Sequence, residues 1–200
     1  MRTNKRELQK EETKKKLLAS AFAEFEKNGI LSTRMSDIAD AAGVSHGTVF
    51  AHFETQETLI SAVIEEFGSR TALRTHELTH NCAGVREVLR AHLDGLMECE
   101  TFYKRLITEQ AFLPKSARET LFSIQSAISF HLSEAAQREM EAGAMLQVSL
   151  PMLFNTWIGL INYYVMNGDM FAPGESVLKR YGDQLLDHYM NLLCAYWVQK

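Results

Sequence analysis

The sequence predicts an all-α chain, and three observations carry that expectation. Breakers are scarce: 3 prolines and 11 glycines punctuate 200 residues, which leaves room for long helices. Apolar residues recur at helical intervals, as in Leu17, Leu18, Ala21, Phe22 and Phe25, which share one face of a 3.6-residue repeat. No stretch sustains the strict alternation of a half-buried strand. A composition of 46% hydrophobic and 23% charged residues excludes a disordered or collagen-like chain.

The elements follow in order. A first helix is predicted over 5–27, ended by Asn28-Gly29 as a left-handed cap. Ser32 or Thr33 is placed to cap a second helix that runs to Ala42 with Met35, Ile38, Ala39 and Ala42 inward. Gly43-Val44-Ser45 breaks it. Ser45 caps a third short helix through about Phe53, with Val49, Phe50 and Phe53 as its candidate inward positions. Thr55 can cap a fourth, 56–76, with Leu59, Ile60, Val63, Ile64 and Phe67 inside. Asn81 to Gly84 reads as a loop. Helical patterns follow at 85–99, 101–112, 115–141, 147–167 and 174–198, most of them separated by Pro114, Gly143, Gly168 and Pro173-Gly174.

Charge is unevenly spread. Residues 1–16 carry seven basic and three acidic side chains, a net +4, so a total of −4 leaves −8 for the remainder. A basic end on an acidic body suits a chain that meets phosphate at one end only, although a solvated helix face would look the same. Three distant cysteines (Cys82, Cys99, Cys194) with no CxxC pair predict reduced thiols in a cytoplasmic protein. No apolar run of about 18 residues predicts a membrane span, and the charged N-terminus predicts no signal peptide.

Residues 33–59 read TRMSDIADAAGVSHGTVFAHFETQETL. Two short helices joined by Gly-Val-Ser make a helix-turn-helix. Gly43 supplies the positive φ of the turn, Ala39 is small where the helices cross, and Ile38 and Val44 fill the wedge. The third helix is left with small and polar outward residues, which can enter a major groove. The pattern Asp37-Ile38-Ala39, Ala42-Gly43-Val44-Ser45, Gly47-Thr48-Val49-Phe50, Phe53, Glu57 and Leu59 resembles the tetracycline-repressor (TetR) family of regulators.

That resemblance implies roles at matching positions. Thr33 and Ser36 fall where the family contacts phosphate at the start of the second helix. Ser45, His46, Gly47, Thr48, Phe50 and His52 occupy the recognition helix, and Gln56 begins the fourth. His52 could instead pack under the fourth helix. Two departures stand out: the family usually has tyrosine where Phe50 stands and often lysine where Gln56 stands. Losing those handles shifts the expected phosphate grip toward the basic N-terminal segment.

Other signals are weaker. His76 and His80 at i, i+4, with Cys82 nearby and His92 beyond, have a spacing that could hold a metal or haem iron. An exposed helix end is the plainer reading, and no metal or cofactor is expected. Cys82 and Cys99 as redox switches are outweighed for want of flanking cations. No phosphate loop, GxSxG or HExxH occurs, so no enzyme is expected.

The body holds a dense apolar load over 85–130, including Leu89, Leu93, Leu96, Phe102, Leu106, Phe112, Phe122 and Ile128. A core and an effector pocket would use the same residues. The resemblance favours a pocket, with His92, Leu93, Leu96, Met97, Phe102, Leu106, Phe122, Gln125, Phe154 and Trp157 as candidate walls. The last two helices are apolar nearly all round, which asks for cover on every side. A second subunit is the simplest cover and a fully buried core within one chain the alternative. Leu153, Ile161, Tyr164, Leu185, Tyr189, Leu192 and Trp197 are the candidate dimer residues.

Taken together, a three-helix DNA-binding domain over 1–55 is expected, with 56–76 linking it to a helical effector-binding and dimerisation domain over 77–200. The function implied is a repressor released from a palindromic double-stranded operator by a small apolar effector. The alternative is an effector-independent DNA-binding structural protein of the same fold.

Overall fold

The computed structural model describes the backbone of residues 2–79 and 84–194, and the side chains of 5–69 and 84–194. Ten α-helices and one 3-10 turn (Gln110–Phe112) occur among the described residues. A single isolated bridge, Met145 to Cys194, is the only β pairing among them. His80, Cys82 and Trp197, and the side chain of His76, lie outside the described part.

The chain divides into two compact units, one of residues 1–67 with 105–121, the other of 68–104 with 122–200. The first unit therefore takes in the start of the helix expected to link the domains and recruits a distant segment. It contains α1 (Arg2–Asn28), α2 (Met35–Ala42), α3 (His46–His52) and the first half of α4 (Gln56–Thr79). Leu17, Ala21, Phe25, Ile38, Ala39, Val49, Leu59 and Ile60 form its core, each at most 2% exposed. Burying such side chains is worth roughly 1.5–3 kcal/mol apiece for the larger ones.

The recruited segment comes from α6 (Glu100–Glu109), whose last turns secure the end of α1. Arg105 donates to the Glu26 and Lys27 carbonyls, at 3.4 Å each. Those carbonyls are orphans of the helix end, where a cation also meets the negative end of the dipole. Glu109 accepts from the Ile30 and Leu31 amides at 3.2 and 2.8 Å. Gly29 turns the chain between these contacts with φ +92°, and a Cβ there would lie 2.9 Å from Glu109 Oε1. The left-handed cap expected at this position is thus required by both backbone angle and space.

The second unit holds the rest of α4, α5 (Val85–Glu98), the start of α6, most of α7 (Lys115–Glu141), α8 (Leu150–Met166), the short α9 (Gly168–Phe171) and α10 (Val177–Leu193). Leu89, Leu93, Phe102, Trp157, Ile161 and Leu186 are among its large, deeply buried side chains. Ser176 caps α10 by accepting from the Lys179 amide at 3.1 Å. Glu100 adds its carboxylate to the same end, accepting from Val177 and Leu178 amides at 2.9 and 3.2 Å and from the Ser176 hydroxyl. Two side chains of the apolar load expected to fill a core or wall a pocket are exposed, Phe112 at 79% and Phe122 at 51%. Phe112 sits on the 3-10 turn, where the helical phase that would have turned it inward is lost.

Candidate nucleic-acid interface

The turn between α2 and α3 has the geometry its residues dictate. Gly43 takes φ +60° and ψ 40°. The amides of Gly43 and Val44 return to the Asp40 and Ala39 carbonyls at 3.0 Å, closing the end of α2. Ser45 Oγ accepts from the Thr48 amide at 3.2 Å and lies 2.8 Å from the Thr48 hydroxyl, so it caps α3 as expected. Only Val49 of α3 is buried. The rest of this two-turn helix is turned outward: His46, Gly47, Phe50 and Ala51 are exposed and Thr48 is half-buried.

Phe50 departs from its expected inward place. It is 44% exposed and meets the His46 ring edge-on at 4.9 Å. The i, i+4 spacing puts both rings on the same outer stripe, one turn apart. Phe53, just past the helix, takes the inward position instead, at 4% exposure.

Two expected phosphate contacts are corrected. Thr33 is 1% exposed, and its hydroxyl donates to the Gly29 carbonyl at 2.7 Å. It neither faces solvent nor caps α2. That cap comes from the other direction, with the Asp37 carboxylate accepting from the Arg34 amide at 2.8 Å. Gln56 is half-buried and donates from its amide to the Thr33 carbonyl at 2.8 Å, so that donor braces the loop before α2. Ser36 stands exposed on the first turn of α2. Arg34, missed by the sequence reading, is also exposed there. A cation just ahead of a capped helix start was the signal available.

His52 closes α3 and lies half-buried in a cleft of about 620 Å³ shared with Ala51 and with Arg6, Glu7, Gln9, Lys10 and Thr13 of α1.

The second unit separates the expected pocket residues into two groups. Phe122, Gln125 and Phe154 line an open cleft of about 550 Å³, with Ser126, Ser129, Phe130, Ser133 and Asn155. Leu93, Leu96, Phe102 and Trp157 are buried core, Met97 is half-buried, and Leu106 belongs to the first unit. His92 is 3% exposed and accepts at Nδ1 from Trp157 Nε1 at 3.0 Å. Burial holds its imidazole down at about 4 from an ordinary 6.5, which keeps the ring neutral and an acceptor. The Phe154 ring lies 6.1 Å from it, so His92 sits one ring behind the cleft wall.

The expected dimer set is largely corrected. Leu153, Ile161, Leu185 and Tyr189 are at most 5% exposed within the single chain, because neighbouring helices of the same unit already cover them. Tyr189 is further tied to α8, donating to the Leu153 carbonyl and pairing with Thr156 at 2.7 Å. Tyr164 is half-buried and stacks on Phe171 at 4.4 Å. Leu192 alone of the described set is open, at 60%.

Comparison with known proteins bears on this geometry. A profile described as bacterial regulatory proteins of the tetR family matches residues 17–63, the span of α1 through α4 that builds the helix-turn-helix. Over that segment, about a quarter of its length, the chain is similar to the TetR family. Among curated relatives, a probable acrEF/envCD operon repressor of Escherichia coli is 27% identical over 110 residues, covering 54% of this chain and 43% of that one. The HTH-type transcriptional regulator TtgR of Pseudomonas putida is 34% identical over 65 residues, 32% of this chain and 30% of that one. The chain thus spans less than half the length of these relatives. The fold extends further than the sequence likeness. A TetR-family regulator from Agrobacterium tumefaciens superposes with TM-score 0.76 at 14% identity, over 93% of this chain and all of that one. FadR of Bacillus subtilis, solved with stearoyl-CoA, gives 0.72 at 17% over 87% and 96%. Those two curated relatives are described as a repressor and a transcriptional regulator. No described helix is long and apolar enough to cross a membrane.

Proposed function

We propose that this chain is a homodimeric transcriptional repressor that reads a near-palindromic operator with α3 and leaves it when a small apolar effector enters the second unit. The observation that carries this reading is the outward face of α3. It offers His46, Gly47, Thr48, Phe50 and Ala51 on a helix held rigidly by Val49 and the Ser45 cap. Short polar side chains on an anchored helix suit base edges and phosphates in a major groove. Ser36 and Arg34 flank it at the start of α2.

Dimerisation is supported by what α8 leaves uncovered. Met152, Thr156, Gly159, Tyr163 and Met166 form an exposed stripe at alternating steps of four and three. A Cβ at Gly159 would meet nothing within 4 Å, which admits a partner helix close to the backbone. Two recognition helices of such a dimer would sit about 34–36 Å apart, one turn of DNA. An effector is supported by the α7–α8 cleft, whose Phe122, Phe130 and Phe154 walls and Gln125 and serine hydroxyls combine apolar area with a few orienting polar groups. FadR, the stearoyl-CoA-bound neighbour, shows that this fold can hold an acyl ligand. Helices α4, α6 and α7 each run through both units, so an effector that prefers a shifted arrangement of them would lower DNA affinity.

The test is selection of duplexes from a randomised library by the full chain, followed by mass measurement of the complex. The expected result is an enriched inverted repeat bound by two chains. Enrichment of no sequence at all would reject the reading. A selected complex unchanged by medium-chain and long-chain acyl compounds and hydrophobic drugs would favour the effector-independent alternative.

A further inference from the structure

The helix-turn-helix is electrostatically the wrong sign for its proposed partner. Residues 32–57 hold one fixed cation, Arg34, against Asp37, Asp40, Glu54 and Glu57, a net −3. Nothing on the outer face of α3 carries a fixed positive charge. Affinity for duplex DNA comes largely from neutralising phosphates, so the cations must come from outside the motif.

The cleft beside α3 supplies them. Arg6 and Lys10 stand one turn apart on α1, which puts them on one face. Both are exposed, and both line the cleft of about 620 Å³ that Ala51 and His52 border from α3. Thr13, a further turn along, adds a hydroxyl, although it donates to the Gln9 carbonyl at 2.8 Å. Glu7 is the one acid on the cleft wall. The cleft opens where α3 ends, and Ala51 presents no bulk there. A DNA strand flanking the groove entered by α3 would bring its phosphodiester to that place.

We propose that Arg6 and Lys10 of α1, with His52 of α3, form a seat for the DNA backbone that supplies the phosphate contacts the recognition motif lacks. This rests on the DNA-binding reading above and deepens it. The seat fixes register and strength, while His46 and Thr48 carry sequence preference. It replaces the two handles absent from this chain, since Phe50 has no hydroxyl and the Gln56 amide is turned to the Thr33 carbonyl.

The experiment measures binding of the full chain to its library-selected duplex and to a scrambled duplex of the same length, across a salt series. The variants are R6A/K10A, the charge-conserving R6K/K10R, and a control, K115A/K179A, that removes two exposed cations elsewhere. For R6A/K10A we expect about tenfold or greater loss on both duplexes alike, and a log–log salt slope shallower by about two. R6K/K10R keeps the slope, and K115A/K179A keeps both slope and affinity. Thermal melts of all variants match the parent, because the altered side chains are exposed. An R6A/K10A protein with unchanged slope and affinity, beside a parent that binds, overturns the seat and leaves the repressor reading standing. Equal losses in R6A/K10A and K115A/K179A also overturn it, by reducing the effect to net charge. A parent that binds neither duplex ends both readings.

Discussion

The two compact units differ in what they leave exposed. In the first, polar side chains of the α2–α3 corner are spent on the backbone: Ser45 caps α3, Thr33 and Gln56 brace the preceding loop, and Glu109 and Arg105 hold the end of α1. What remains free is a small exposed face. In the second unit one polar side chain, His92, is buried against Trp157, while Phe122 and Phe130 stand at 51% and 61% exposure on α7. A rigid corner that presents a surface belongs to recognition of a fixed shape such as a DNA groove. A core with a satisfied polar pair behind an open cleft of mixed phenylalanine and polar lining suits the proposed admission of a ligand.

The contrast can be broken most forcefully in the core of the second unit. Replacing Trp157 with Ala removes a fully buried indole and leaves Nδ1 of His92 without its donor. A loss of about 3–5 kcal/mol is expected, read by denaturant unfolding; a loss below 1 kcal/mol would show that the unit does not depend on this pair. The same pair predicts acid sensitivity. With the native imidazole held down at about 4 and the unfolded one at 6.5, the unfolded state binds the extra proton between those values. Stability therefore falls as pH drops from 6.5 toward 4, by up to about 3 kcal/mol. Unfolding titrations of the parent and His92→Phe should diverge over that window, with the variant flatter.

Changes on the exposed face of the first unit should instead alter binding and spare stability. Phe50→Tyr adds a hydroxyl to a ring that is 44% exposed. If the outer stripe of α3 meets phosphate, affinity for any duplex should rise by about 1–2 kcal/mol, with an unchanged melting midpoint. A fall in affinity would place position 50 away from the backbone. Ser45→Ala is the exception on this face, because its hydroxyl caps α3: the smallest effect, a stability loss of about 1 kcal/mol, is expected by thermal melting.

The same contrast explains what could be read from the sequence. The corner was legible because its spacing is local: a left-handed Gly43, a capping Ser45 and an inward Val49 are nearest-neighbour facts, although Phe50, expected inward beside Val49, faces out. Thr33 and Gln56 were misread because a hydroxyl or amide has the same appearance whether it turns to a phosphate or to a carbonyl of its own chain, and the residues that decide this lie up to 23 positions apart. Arg34 escaped notice because the expected cap lay one residue earlier. In the body the misreadings are larger and share one cause. Apolar residues that wall a cleft, fill a core or face a partner are chemically alike. Leu153, Ile161, Leu185 and Tyr189 therefore passed for a dimer face although the chain itself covers them. Of the uncovered stripe of Met152, Gly159, Tyr163 and Met166, only Gly159 stood out in sequence, as a place for close helix approach, since only the packing of the other helices reveals which side of α8 is left over.

The central claim is that α3 reads DNA sequence. It is tested most directly by the affinity ratio between selected and scrambled duplexes, measured at one salt concentration for the parent and for H46A/T48A. A parent ratio of about 10³ or more should collapse toward unity in the variant, while scrambled-duplex affinity and the melting midpoint hold. A ratio that survives the double substitution intact would contradict the claim and place sequence reading elsewhere on the chain.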